Sequence, residues 1–487
     1  MLNFTISFPL VLLVIYISII VFIGIINRRN KNQEEYFLAS RKLPSWLLAI
    51  TFIASWWGGG SAIDVVDHAH TNGLNSFWIY GMPVLLSTFL MFVFAKGIRN
   101  VSTLTQPQIM EKRYTKQASL LLTLLIILFM TLTAAGQIVA IGKFFQSFFN
   151  IEYSLAAYIG TLLVIFYSMF GGFKGVVATD LFQFVFFLIT AIAVFIISYK
   201  YTGDFNNVKT MAIANNKQNY TSFFHNITDN LVYVITFGAS WMIQANVWQR
   251  ISAAKTPNQA KKMMGLSFFI FIPLYLIVTL TGMLSSTFIS EIPEGGIVPH
   301  IIKNYVPPLV SSILFVGLCS AIMSTMDSLI NTGALSLTID VYKKYINSKA
   351  STKDTVFVGR ISTIIIGLLA LLIALGIQSL LKVSWIGADL IASTVFVPLV
   401  LGFIWKKGSN KATIASILFG ICFSTYNLLI FLGVDLPTMW SHESTIQAIL
   451  GISGSAIVFI SVSLLDKSNS QKAELFIKQA GIIKTKK

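Results

Sequence analysis

The sequence predicts an all-α integral membrane protein, and three observations carry that expectation. Only 11% of the 487 residues are charged, where a soluble domain averages about 25%. Apolar residues make up 55%, and the mean hydropathy is +0.75. That is more oil than a water-soluble globule can hide, and too much for a disordered chain. The apolar residues gather into long runs, near the ~20 residues that carry a helix across a bilayer. The net charge of +16 does not point to nucleic acid, because Lys and Arg sit in short connections between the runs.

Thirteen runs follow in order: 4–26, 44–67, 74–95, 118–142, 153–170, 177–199, 230–247, 264–288, 307–333, 357–378, 384–405, 412–433 and 445–465. The first has no basic residue ahead of it and no small-residue cleavage site, so it is expected to be kept as a span. With the N-terminus outside, 29 of the 35 Lys and Arg fall on the inner side and 6 on the outer. The positive-inside bias therefore predicts N-out, C-in. The longest polar connections, 200–229 outside and 334–356 inside, are too short for independent domains. The 22 residues after Leu465 are expected to form a solvated or lipid-surface tail.

Charged groups at membrane depth are costly and point to function. Five carboxylates qualify: Asp64 and Asp67 in the second span, Asp180 in the sixth, Asp327 in the ninth and Asp389 in the eleventh. Lys and Arg are nearly absent from the spans, so these acids lack obvious cationic partners, and a bound cation could supply one. In the second span, Ala54-Ser-Trp-Trp-Gly-Gly-Gly-Ser61 places three poor helix formers in succession. Two readings stand: unwound backbone lining a cavity with its carbonyls freed, or close helix packing through small residues. In the sixth, Asp180 sits either in a first turn capped by Thr179 or, if the helix begins near Gly175, deeper and on one face with Gln183. In the seventh, Gln244 and Gln249 stand out, and Arg250 reads as a positive-inside residue. No Gly or Pro break follows Gly238 there.

The ninth span carries the strongest signal. Ala321, Ser324, Thr325 and Ser328 share a stripe at spacings of three and four, and Ser324, Asp327 and Ser328 form an adjoining oxygen-rich strip. Sodium is a hard cation that needs several oxygens at once, and carbonyls, hydroxyls and carboxylates suit it. The competing reading is that these hydroxyls bond back to the preceding turn.

Other classes gain no support. Cys319 and Cys422 lie in different apolar runs and read as small buried hydrophobes. All five histidines fall at outer loops or their edges and read as solvated. There is no phosphate-binding Gly-rich loop, no intramembrane His and no paired nucleophile and base at depth, so an enzyme or an ATP-driven pump is not expected.

Three groups of residues are then seen together: Gly171-Gly172 with Thr179-Asp180 and Gln183; Trp241 through Gln249-Arg250 with Ala253-Ala254-Lys255; and Ala321, Met323-Ser324-Thr325 and Asp327-Ser328 followed by Asp340-Val341-Tyr342-Lys343. Over about 36–408 the chain resembles the sodium:solute symporter family, sodium-coupled carriers of proline, pantothenate, sugars and sialic acid. The resemblance implies a five-plus-five inverted repeat (LeuT-type fold). An extra helix and inner loop (1–43) would precede a first repeat (44–199), an outer loop (200–229), a second repeat (230–405) and two accessory helices with a cytoplasmic tail (406–487). It implies a main Na+ site at the carbonyls of Ala54, Trp57 and Ala321 and the hydroxyls of Ser324 and Thr325. It implies a possible second Na+ or proton site at Asp180, Ser324, Asp327 and Ser328, where Asp327 departs from the hydroxyl some members carry. Candidate solute contacts are Trp56, Gly58, Ser61, Asp64, Gln137, Trp241 and Gln244.

The expected function is sodium-coupled import of a small polar solute by alternating access, with an amino acid-like, zwitterionic or carboxylate solute favoured over sugar. The alternatives are proton coupling on the same fold, or a membrane solute sensor. Na+ is the expected coupling ion and no organic cofactor is expected. The expected partners are the solute and the lipid bilayer of the cell membrane, with neither nucleic acid nor an obligate protein partner.

Overall fold

The computed structural model describes residues 8–27, 33–437, 444–466 and 470–482. Among them the chain is helical throughout, and the one strand-like feature is an isolated bridge between Leu43 and Ala254. In chain order the helices are α1 (Phe8–Ile26), α2 (Gln33–Leu38), α3 (Ser45–Ala54), α4 (Val65–Asn72), α5 (Gly81–Val101), α6 (Gln106–Arg113), α7 (Lys116–Phe149), α8 (Tyr153–Thr202), α9 (Phe205–Ala214) and α10 (Ile227–Met242). There follow α11 (Ala245–Ala253), α12 (Pro257–Ser285), α13 (Ile297–Asn304), α14 (Pro308–Leu335), α15 (Thr352–Gly376), α16 (Leu380–Ile391), α17 (Val397–Ile404), α18 (Asn410–Phe431), α19 (Ser444–Leu465) and α20 (Ser470–Ala480). Ten described helices, taken with their π-helical and turn extensions, are long and apolar enough to cross a membrane, and α10 with α11 makes one more across a 48° bend. Ser45–Ala54 and Tyr153–Met169 are shorter apolar helices.

Local chemistry sets the boundaries. Thr115, Thr256, Ser379 and Ser409 each accept a backbone N–H at the start of α7, α12, α16 and α18. Ser351 and Asp354 form a reciprocal capping box at the start of α15. α8 is two helices joined at Gly172, whose φ of 55° and ψ of −168° are open to glycine.

Burial sorts the bundle. In α14 with its extension, 83% of the apolar window is buried; in α1 only 22% is. α14 is thus the central post, and α1 lies on the outside with its apolar face free for lipid. The basic connections converge on one end of the bundle. Arg41 donates to the carbonyls of Ser252 and Thr103, Arg99 to Ala254, and Lys344 pairs with Glu111 at 2.5 Å. The opposite end carries α13 and the connection around α9, with Trp78 donating to Phe223 and Lys217 to Thr71.

In the 334–356 connection, α14 continues as a π-helical stretch over Ser336–Ile346. Two expectations are corrected. The tail is not simply solvated: Phe476, Ile477 and Ala480 of α20 are buried, and Asn100 donates to the Ala480 carbonyl at 3.0 Å. His70 is buried and bonded to Ser285 at 2.9 Å, so it is not solvated, whereas His68 is half-buried and reaches Ser76 at 2.7 Å. His442 lies outside the described residues.

Candidate functional site: an ion cage and a solute cavity at two broken helices

α3 stops at Ala54, and helix resumes only at Gly60, in a π-helical stretch that leads into α4. Both readings of the glycine run hold. The backbone is unwound, and the glycines are also points of contact. A Cβ on Gly58 would come within 2.2 Å of Gln137 Oε1 and 3.0 Å of Thr325 Cβ; one on Gly59 would meet Ala140 Cβ at 2.2 Å. Gln137 uses that proximity, accepting the Gly59 N–H at 2.8 Å.

The break leaves the Ala54 carbonyl without a helical donor, and α14 supplies two. Ser324 Oγ lies 2.6 Å from Ala54 O and 3.3 Å from Ala321 O. Thr325 Oγ1 lies 3.3 Å from each of the same carbonyls. The two bonds to Ala321 run back to the preceding turn, as the competing reading has it, and the two to Ala54 cross between helices; the oxygens so gathered are of the kind that suits a hard cation. Trp57 lies within the break, its indole buried against Phe187 and Tyr275. No group of three His, Cys, Asp or Glu suited to a metal ion occurs among the described residues.

The seventh span is broken too, although no Gly or Pro follows Gly238 to mark the break. α10 ends at Met242, Gln244 is extended (φ −67°, ψ 119°), and α11 begins at Ala245. Freed carbonyls must find partners at membrane depth. Trp248 Nε1 donates to Met242 O at 2.7 Å and Gln106 Nε2 to Ile243 O at 2.9 Å.

Between the two breaks lies a cavity of about 60 Å³. Of the seven solute candidates, Trp56, Gly58, Ser61, Gln137, Trp241 and Gln244 line it, together with Thr325 of the ion cage. Asp64 does not. It lines a vestibule of about 690 Å³ on the side away from the basic end, with Asp67, His68 and Lys143. Tyr80 and Leu380 border both spaces and form the floor of that vestibule. Trp56 meets Trp241 edge-on at 5.3 Å. Sequence reasoning missed Tyr80, whose hydroxyl is buried and unpartnered, and also Thr133 and Ser384. Nothing in their local sequence marks them; only packing brings them together.

The four residues of the second oxygen set are divided. The expectation that the buried acids lack cationic partners is overturned by Arg250, which is buried and not a loop residue. Its Nη2 lies 3.0 Å from Asp180 Oδ2 and 2.8 Å from Ser328 Oγ. Thr51 donates to the same carboxylate oxygen. Asp180 lies well inside its helix, and Thr179 bonds back to Gly175 and Val176 instead of capping it. Asp327 takes Ser168 at 2.5 Å and Asn331 as donors. The two carboxylates thus keep separate donors. The Arg250 network ties α3, α8, α11 and α14 together beside a pocket of about 30 Å³ lined also by Phe173, Gln249 and Asn331. The large vestibule thus lies on the far side of Tyr80 and Leu380 from the small central cavity.

Two broken helices facing a central post, with hydroxyls of that post beside a small central cavity, form the arrangement of the LeuT-type fold. The Sodium:solute symporter family pattern matches residues 36–420, and the chain belongs to that family. It is a multi-pass cell-membrane transporter and not an enzyme, coupling sodium to the movement of a small organic solute. Similar chains include a sodium/proline symporter of Haemophilus influenzae, 25% identical over 97% of this chain and 98% of that one. The osmoregulated proline transporter OpuE of Bacillus subtilis is 25% identical over 94% and 95%. A sodium/glucose cotransporter of Vibrio parahaemolyticus is 26% identical over 87% and 85%. Among solved structures, a substrate-bound outward-open Na+-coupled sialic acid symporter superposes with a TM-score of 0.77 at 17% identity, covering 95% of this chain and 99% of that one.

Proposed function

We propose that the chain imports a small zwitterionic, amino acid-like solute together with sodium, the ion seated at Ala54, Trp57, Ala321, Ser324 and Thr325. The observation that carries this is the pair of hydroxyls on α14 meeting the orphaned Ala54 carbonyl of α3. An ion there joins the broken helix to the central post. It completes the wall of the solute cavity through Thr325, so binding of ion and solute favour each other. The ion must also prefer one conformation for its gradient to do work.

The cavity chemistry supports the solute class. Its lining is aromatic (Trp56, Tyr80, Trp241) and amide or hydroxyl (Gln137, Gln244, Ser61), with no charged side chain among the described lining residues. Such a wall suits a solute of no net charge. Aromatic faces attract an ammonium, and the positive end of the half-helix beginning at Gly60 favours a carboxylate. The proline carriers among the relatives support the same reading. The second oxygen set is assigned to structure, since Arg250 already supplies its cation.

In this reading the basic end faces the cytoplasm, with thirteen crossings and the N-terminus outside. Repeats at 44–199 and 230–405 sit in the lipid bilayer, and no obligate protein partner is needed. Purified protein in proteoliposomes, given proline with and without an inward sodium gradient, tests the proposal. Sodium-dependent accumulation of proline or a compact neutral amino acid is expected. Accumulation driven equally by a pH gradient without sodium would refute it.

A further inference from the structure

Asp389 is a membrane-depth carboxylate that belongs neither to the transport site nor to the vestibule nor to the Arg250 network. It stands on α16 in a stripe with Lys382, Trp385, Ile386 and Ser393, at spacings of three and four. α18 presents a matching stripe, Ser424, Asn427, Leu428 and Phe431, and Lys382, Trp385, Ile386 and Asp389 face it across a cavity of about 670 Å³ that Gln447 of α19 also borders. The walls are held close by design of the backbone. Ser393 lies in a π-helical stretch, Ala392–Phe396, of the kind that recurs at functional sites. A Cβ on Gly451 would come within 2.3 Å of Ser393 Oγ, and one on Gly420 within 2.4 Å of Ser393 O.

At the bottom of this cavity the Ser424 and Ser393 hydroxyls lie against the Asp389 carboxyl. Both amide atoms of Asn427, which lines the cavity and is 7% exposed, are buried without a hydrogen bond among the described residues. Buried polar groups in native proteins are nearly always satisfied, so an unpaired carboxamide facing a cavity beside a carboxylate calls for a ligand. Lys382 does not neutralise Asp389: its ammonium packs over the Phe431 ring at 5.8 Å, near the rim.

We propose that this cavity binds a primary ammonium group bearing a neighbouring oxygen, the chemistry of a 2-amino alcohol. The cavity lies within the roughly 300–1,000 Å³ range of organic ligand sites and is far larger than a dehydrated alkali ion. The ammonium donates to Asp389 Oδ1 and to Asn427 Oδ1. The adjacent oxygen accepts from Asn427 Nδ2, a donor that a bare cation would leave facing a like charge. Trp385 offers an aromatic face to the ammonium, and Leu428, Ile430 and Phe431 cover the carbon skeleton. The same group occurs as free ethanolamine and as the headgroup of phosphatidylethanolamine. α16 is a shared wall: Leu380 and Ser384 line the solute cavity, and Trp385 packs on Phe237 at 5.0 Å, which stacks on Trp241 at 4.8 Å.

The test uses the full chain in nanodiscs of phosphatidylcholine, with ethanolamine as probe and choline as its trimethylated control, read as melting temperature against concentration. Ethanolamine should give a saturable rise and choline none. Asp389→Asn and Asn427→Leu should each weaken half-saturation about tenfold or more, as expected for loss of a bond to a charged group. Gln137→Ala, which alters the solute cavity, should leave it unchanged. If the lipid is the source, nanodiscs of phosphatidylethanolamine raise the melting temperature in a manner lost with Asp389→Asn, and added ethanolamine gives no further rise; if the free amine is, the rise persists there. Should Asp389→Asn fail to fold, Asn427→Leu and Ser424→Ala carry the test. No saturable effect from either probe or lipid, equal effects of choline and ethanolamine, or undiminished binding in the folded variants would overturn the proposal.

Discussion

Ser324→Ala removes the hydroxyl that touches two of the three carbonyls of the proposed ion site, Ala54 at 2.6 Å and Ala321 at 3.3 Å. The helix itself loses little, because Ala is a good helix former and the site is buried on every side. The ion loses one of five proposed oxygens. A bond to a charged group contributes about 1.5–3 kcal/mol, so sodium affinity should fall about 10- to 150-fold. Without ion, the variant also loses the shorter of two hydroxyl bonds from α14 to the Ala54 carbonyl of α3, about 0.5–1.5 kcal/mol, which should lower the sodium-free melting temperature slightly. The assay is melting temperature against sodium concentration at constant ionic strength, which needs no knowledge of the solute. Thr325→Ala should behave alike and Thr325→Ser, which keeps the oxygen, should stay near the parent. The reasoning fails if both alanine variants fold and keep a sodium half-saturation within about twofold of the parent.

Three further outcomes are expected. Gly58→Ala drives a methyl into Gln137 Oε1 and should abolish proteoliposome uptake, while the Gly58→Ala, Gln137→Ala double variant recovers part of it; equal loss in both would contradict the close-approach argument. Arg250→Gln leaves Asp180 buried without its counter-ion and should cost about 3–5 kcal/mol of stability, seen as a large drop in melting temperature that adding Asp180→Asn partly restores. Tyr80→Phe removes a buried hydroxyl with no protein partner and should raise the solute KM without moving the sodium half-saturation; a change confined to sodium would place Tyr80 at the ion instead.

The site was unevenly legible along the chain. The α14 stripe could be read because oxygens that meet one carbonyl from a single helix recur at neighbouring positions on one face of it. The glycine run announced the first break because glycine weakens helix at any position. The break after Met242 gave no such sign, since it is stabilised from elsewhere, by the Trp248 indole and the Gln106 carboxamide. Arg250 looked like a loop residue because charge near a predicted boundary is usually solvated. Only its position against Asp180, 70 residues away in the chain, shows that it is buried.

What the sequence determined alone was what local pattern and solvent dictate. Apolar run length fixes helices, lipid excludes free backbone polar groups, and charge sorts the connections to one end. The tertiary structure decided which of the polar atoms meet. It brought Ala54 to Ser324 across 270 residues, placed Asp64 in the vestibule instead of the solute cavity, and gave Asp180 an arginine in place of an ion. Those choices depend on the relative placement of helices far apart in sequence, and no periodicity within one helix encodes them.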